Sequence, residues 1–341
     1  MVGKPYLIYA LFFGSFTLSS CSSRAQSDPN SLSTAATQGP YPDLLSKQTM
    51  DIGPTSRDYL VYVPPGLRVP KALVFVLHGG GGEGLNVAQL GRHPLAVFRS
   101  VADREGFVVV YPSGLLTPDA GGKAGWVDCR ADNKLAGEVD DISFLASLVQ
   151  RVRAQYGLES AQIFMAGGSN GAQMAQAFAF HHAELLGAVA VASGSLPAAP
   201  RPGPCTAGPS RSLPILITHG SADTVMPWSG GCVANFGGSC NRGRVVSAEA
   251  TRDRWLQING LNGVTPVQSE IERNGTDGGP AQRWDYAGAA PLQWWRLEGA
   301  GHPIASITVR ERISPAAGKQ NGDVEFAEIA WSFFALRLEA L

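Results

Sequence analysis

In the stretch "MAGGSNGAQM" a serine, Ser169, stands between glycines at Gly167-Gly168-Ser169-Asn170-Gly171, where the apolar run "QIFMA" meets the helical period "NGAQMAQAF". A G-x-S-x-G turn between strand and helix lifts a serine hydroxyl above a sheet edge as a nucleophile. The competing reading is a plain packing turn whose glycines let two elements approach. A nucleophilic serine needs a base within hydrogen-bond reach, an acid that orients the base, and amide donors for a developing oxyanion.

Six histidines are available for the base: His78, His93, His181, His182, His219 and His302. His181 and His182 lie at the far end of the helix that follows Ser169, too distant to return to it, and His93 falls in a predicted surface segment. His302, in "LEGAGHPIAS", follows the last apolar strand run in a loop free to reach the strand ends. For the acid, Asp223 in "ITHGSADTVMPW" sits just past an apolar strand, at the same sheet edge as Ser169. Asp141 in "VDDISF" reads instead as a helix-start carboxylate near free amides, and Glu298 is too close in sequence to His302 to support it easily. The chain order Ser169, Asp223, His302 is the order of an α/β-hydrolase triad.

For the oxyanion, "VLHGGGGEG" follows another strand run and has the form of a glycine-rich oxyanion loop. Its donors would be the N–H of Gly80 together with that of Asn170, with His78 orienting the loop. A phosphate-cradling loop is the rival, but the G-K-[ST] ending is missing.

These residues must be held by a sheet. Apolar runs bounded by glycine or proline recur at 59–64, 72–79, 107–114, 162–168, 188–194, 214–220 and 293–299. Helical periods lie between several of them. Ile142, Leu145, Leu148, Val149 and Val152 repeat at three and four residues with Gly157 as the C-terminal cap, and a last helix is expected from Asp323 as N-cap. Alternation of this kind predicts an α/β fold, a mostly parallel central sheet with helices on both faces, in one domain over 46–341. The run "VQSEIERNGTDGGPAQRWDYAG" alternates like a hairpin around Asn274-Gly275.

The chain has 341 residues, 44% of them hydrophobic and 16% charged, with a net charge of −1, so it supplies a globular core but no basic field for nucleic acid. Residues 1–20 carry Lys4 and a short apolar run and read as an export signal of the lipoprotein type. Leu18-Ser19-Ser20-Cys21 resembles a bacterial lipobox, so Cys21 would be acylated and 21–45 would be a flexible tether, polar and without apolar period. The expected location is the cell envelope, the outer membrane in a two-membrane bacterium, or the extracellular space if cleavage is ordinary. The only membrane contact expected is that lipid anchor. Four further cysteines suit two disulfides, Cys129 with Cys205 and Cys232 with Cys240, the latter across the short loop "VANFGGS". No C-x-x-C or helical His pair makes them a zinc site.

From about residue 50 onward the chain resembles the polyhydroxybutyrate-depolymerase-like esterases, close to feruloyl and acetyl-xylan esterases. "LHGGGG", "GWVDC", "EVDDISFL", "GGSNGAQM", "THGSADTVMPW" and "GAGHP" carry the resemblance. It implies the α/β-hydrolase fold and hydrolysis of carboxylic esters through a serine acyl-enzyme, with neither metal nor organic cofactor. A tryptophan often found two residues after the family's histidine is replaced here by Ile304. Trp126 and Trp228 fall in loops at the expected active edge and are the candidates for stacking on substrate, whereas Trp294 and Trp295 alternate within one strand, so at least one is core. A serine peptidase, an acyltransferase or a non-catalytic surface-binding lipoprotein on the same fold are the alternatives.

Overall fold

Five runs of the chain, "LVFVL", "VVVYP", "IFMAGG", "AVAVA" and "ILITHG", are buried at every position, as only strands covered on both faces are. They form the centre of a ten-stranded sheet in the computed structural model, which describes residues 45–117, 123–134, 139–233, 240–273 and 275–339. The expected leader, Cys21 and all but the last residue of the tether lie outside the described residues. In chain order the strands are β1 (Leu45–Ile52), β2 (Thr55–Tyr62), β3 (Leu73–Leu77), β4 (Val108–Pro112) and β5 (Ile163–Gly168), then β6 (Ala188–Ala192), β7 (Ile215–Gly220), β8 (Val267–Ile271), β9 (Ala281–Tyr286) and β10 (Leu292–Leu297).

Across the sheet the order is β1-β2-β4-β3-β5-β6-β7-β10-β9-β8. Strands β4, β3, β5, β6, β7 and β10 run parallel, and antiparallel hairpins close both edges. After β3 the chain adds β4 on one side and later β5 on the other. The carboxyl ends of β3 and β5 therefore form a topological switch point, where open α/β sheets bind ligands.

Five helices of more than two turns cover the sheet: α1 (Val97–Glu105), α2 (Asp141–Tyr156), α3 (Asn170–His182), α4 (Ala248–Ile258) and α5 (Phe326–Leu338). Helices α2, α3 and α4 contribute to one apolar core, α1 and α5 to the other. Trp294 and Trp295 point to opposite faces of β10 and enter different cores, so both are buried. On the α5 face Trp331 stacks on Phe107 at 4.1 Å and Phe334 on Phe164 at 4.5 Å.

Two helix starts differ from expectation. Asp140, not Asp141, caps α2 by accepting from Ser143 N, while Asp141 turns inward to a buried ion pair with Arg57 and accepts from Val127 N. Helix α5 begins at Phe326 with Glu325 before it, because Asp323 is committed to Arg273 N and Asn321 Nδ2. The strand β1 has no counterpart in the sequence reading, since seven of its eight residues are at least partly exposed and only Met50 marks a buried face. The expected hairpin is present as β8 and β9, although Asn274 itself lies outside the described residues. Both disulfides pair as expected, Cys129–Cys205 and Cys232–Cys240. The described residues belong to one compact unit, Thr37–Leu341, and hold no helix long and apolar enough to cross a membrane.

Candidate active site

Ser169 joins β5 to α3 with φ 55° and ψ −122°, a conformation that a non-glycine residue holds only under constraint. The constraint is visible. Ser169 N donates to Ala192 O at 2.9 Å, and Ser169 O accepts from Gln173 N at 3.0 Å. A Cβ on Gly171 would collide with Leu77 O, and one on Gly168 with the Ile304 side chain, so the turn closes only around hydrogen atoms.

His302 comes from the loop after β10, held by bonds from His302 N to Ala317 O and Gly301 N to Lys319 O, both 2.7 Å. Its Nε2 lies 2.8 Å from Ser169 Oγ, and its Nδ1 lies 2.7 Å from Asp223 Oδ2. Asp223 sits past β7, and its other oxygen accepts from Val225 N and Met226 N at 2.8 Å each. A carboxylate can only accept, so Nδ1 of neutral His302 carries the proton and Nε2 faces the serine hydroxyl. Burial opposes the imidazolium, but the charge and hydrogen bond of Asp223 outweigh it and hold the His302 pKa above the ordinary value. Burial likewise opposes the Asp223 carboxylate, and here His302, His219 and the Met226 amide win, keeping its pKa low.

His219, which the sequence reading passed over, lies under this pair. It donates from Nε2 to Met226 O at 2.8 Å, and burial lowers its pKa, so it is a neutral prop beside Asp223. Glu298 is turned away to Ser221 Oγ and Arg296, and takes no part at His302.

The glycine loop after β3 lies over Ser169. A Cβ built on Gly79 would stand 3.4 Å from Ser169 Cβ, and one on Gly80 3.7 Å from Asn170 Cβ. Gly81 N and Gly82 N are bonded to Ala124 O and Gly79 O, whereas the N–H of Gly80 and of Asn170 donate to no acceptor among the described residues. His78 locks the loop. Its Nδ1 meets Gly79 O at 2.7 Å, so that nitrogen carries the hydrogen, and its Nε2 accepts from Gly114 N at 2.8 Å. Complete burial pushes the His78 pKa down to about 4.

Trp126 is 2% exposed, donates from its indole to His78 O, and lies 4.8 Å from the His78 ring, so it supports the loop from below and has no face for a substrate. Trp228 is partly buried behind the acid loop, edge-on to His219, with its indole bonded to Glu249. Neither lines the cleft of about 430 Å³ that opens at Ser169 and His302. That cleft is walled by Gly79–Gly82, Val87, Ile304 and Ile313, with Arg92, Glu311 and Arg312 at its polar side. His93, in the expected surface segment, also belongs to this wall, 3.5 Å from Glu311.

Arg242 was also missed in the sequence, hidden in a cysteine-rich loop with no motif around it. Its Nη1 would lie 3.9 Å from a Cβ on Gly80, and among the described residues no carboxylate pairs with it. Its backbone is fixed by Arg130 Nη1 bonding to Arg242 O, and Arg130 is paired with Asp128, which also accepts from Asn170 Nδ2. A chain of polar contacts thus runs from the residue after the serine to the backbone of Arg242, whose partly buried guanidinium stands beside the glycine loop.

Residues 57–201 match the family model described as Esterase PHB depolymerase. Acetylxylan esterase A of Aspergillus awamori is 32% identical over 151 residues, 43% of this chain and 46% of that protein. Feruloyl esterase B of Talaromyces stipitatus is 27% identical over 144 residues, 41% of this chain and 37% of its own length. The chain thus spans less than half the length of these curated relatives. The solved acetyl xylan esterase from Aspergillus awamori superposes with a TM-score of 0.53 at 20% identity, over 76% of this chain and 94% of that one. That likeness shows the fold, which is the expected α/β-hydrolase.

Proposed function

We propose that this chain, whose residues 57–201 match the Esterase PHB depolymerase family model, hydrolyses carboxylic esters through an acyl-enzyme on Ser169. The observation that carries the reading is the unbroken hydrogen-bond chain from Ser169 Oγ through His302 to Asp223, beside the Gly80 and Asn170 amides, which donate to no acceptor among the described residues, at the switch point of the sheet. His302 takes the Ser169 proton as Oγ attacks the ester carbonyl, and Asp223 stabilises the imidazolium that forms. The amides of Gly80 and Asn170 stabilise the oxyanion. His302 returns the proton to the departing alcohol, then activates a water that releases the acid and restores Ser169.

The substrate class that the relatives' names support is an acetyl or feruloyl ester of a plant polysaccharide, or a hydroxybutyrate polyester. The disulfides support export; the lipobox-like Leu18-Ser19-Ser20-Cys21 supports 1–20 as signal, acylated Cys21 as anchor and 21–45 as tether, which leaves 46–341 as the catalytic domain. Ester hydrolysis is tested on the protein from Ser22 onward, using methyl ferulate, acetylated xylan and hydroxybutyrate oligomers. Ser169→Ala is expected to lose roughly three to six orders of magnitude in kcat and all labelling by a fluorophosphonate, with an unchanged melting temperature. Equal turnover by parent and variant would remove Ser169 from the chemistry.

A further inference from the structure

Far from the serine in sequence, Glu272, Asp277 and Asp323 converge so that one ligand oxygen of each lies within 4.8 Å of the others. Asp277 is 6% exposed and Asp323 fully buried. Asp277 Oδ2 accepts from Gly322 N at 2.6 Å, but Oδ1 of the same carboxylate is buried and has no donor among the described residues. Asp323 accepts from Arg273 N and from Asn321 Nδ2, both uncharged amides. Arg273 Nε donates to Asp323 O and Lys319 Nζ to Thr276 O. A buried carboxylate oxygen without a donor costs free energy unless a cation or an ordered group meets it.

We propose that Glu272, Asp277 and Asp323 hold one calcium ion, which clamps the β8–β9 loop to the segment that leads into α5. The donor set is all oxygen, which suits a hard cation, and two calcium–oxygen bonds of about 2.4 Å bridge the observed spacing. Loop carbonyls and water complete the six to eight oxygens that calcium accepts. The buried Cys129–His181–Cys205 group is no rival, since its sulfurs are joined in a disulfide.

The clamp would be felt at the histidine loop. A Cβ on Gly278 would stand 2.9 Å from Gly299 Cα, and one on Gly279 3.2 Å from Glu298 Cβ, so Gly278 and Gly279 lie directly against the start of the loop that carries His302. Asn321 O, from the other side of the site, accepts from Ser306 N just past His302. An ion here stiffens the support of His302 without touching the reacting atoms.

The test does not depend on any activity. EDTA-stripped protein is melted with 0–10 mM CaCl2 or MgCl2, and terbium luminescence sensitised by tryptophan or tyrosine reads direct binding. Calcium near 100 times its Kd is expected to raise Tm on the order of 5 °C, and magnesium much less. Asp277→Asn, nearly isosteric and still able to accept from Gly322 N, is expected to abolish the calcium shift while folding as the stripped parent does. Glu272→Gln, on the exposed rim, is expected to weaken calcium binding at least tenfold and decides the matter should Asp277→Asn fail to fold. A stripped protein whose Tm ignores calcium, an equal response to magnesium, or variants that bind calcium like the parent would overturn the proposal.

Discussion

Acid should weaken this protein through His78, a residue that never touches substrate. In the folded chain it is fully buried and neutral, with a pKa near 4, against 6.5 when exposed in the unfolded chain. Between these values the unfolded chain binds more protons, so stability falls as pH drops through 6.5 and levels off below about 4. At 1.36 kcal/mol per unit, the loss attributable to His78 is about 2 kcal/mol at pH 5 and about 3 kcal/mol in full. The comparison that isolates it is His78→Gln, which keeps an acceptor for Gly114 N but carries no titratable ring. Urea midpoints of parent and variant, followed by tryptophan fluorescence at pH 8, 6 and 5, convert to free energies if the slopes agree. His219, also buried and neutral, titrates in both proteins and cancels in the difference. The parent should lose about 2 kcal/mol more than the variant between pH 8 and pH 5. Equal losses would mean that His78 is not held neutral by burial, and the account of the glycine loop would fall with it.

The acidic limb of kcat/KM should have its midpoint above 6.5, because His302 must be neutral to accept the serine proton and Asp223 raises its pKa; a midpoint at or below 6.5 contradicts the geometry. Arg242→Gln should move that limb to higher pH, since the guanidinium opposes the imidazolium, and an unmoved limb would deny that coupling. Asp141→Asn should cost roughly 3–5 kcal/mol of stability by stranding the buried Arg57, whereas Lys47→Ala, in an exposed pair with Asp58, should cost less than about 1 kcal/mol; denaturant midpoints separate the two.

Much of the fold was legible locally. Strands buried on both faces must be apolar throughout, and glycine or proline must punctuate them, so the seven expected strand runs all appear in the sheet. The glycines around Ser169 were equally legible, because collisions with Leu77 O and Ile304 leave room for nothing larger. Strand β1 was not, since its outer face meets water and its composition is that of a loop.

Motif order alone named Ser169, Asp223 and His302, because each sits where a parallel strand ends, and parallel strands end at one edge. Whether an aromatic in such a loop faces ligand or core depends on how the loop folds back. Trp126 turned under the glycine loop, and Trp228 packed behind Asp223. The tertiary structure also brought Arg242 to Gly80 and Asp277 to Asp323, across 162 and 46 residues respectively (242 − 80 and 323 − 277). No local pattern encodes those encounters: a strand or a turn follows from its own residues, but a charge acquires its role from whatever the folded chain places beside it.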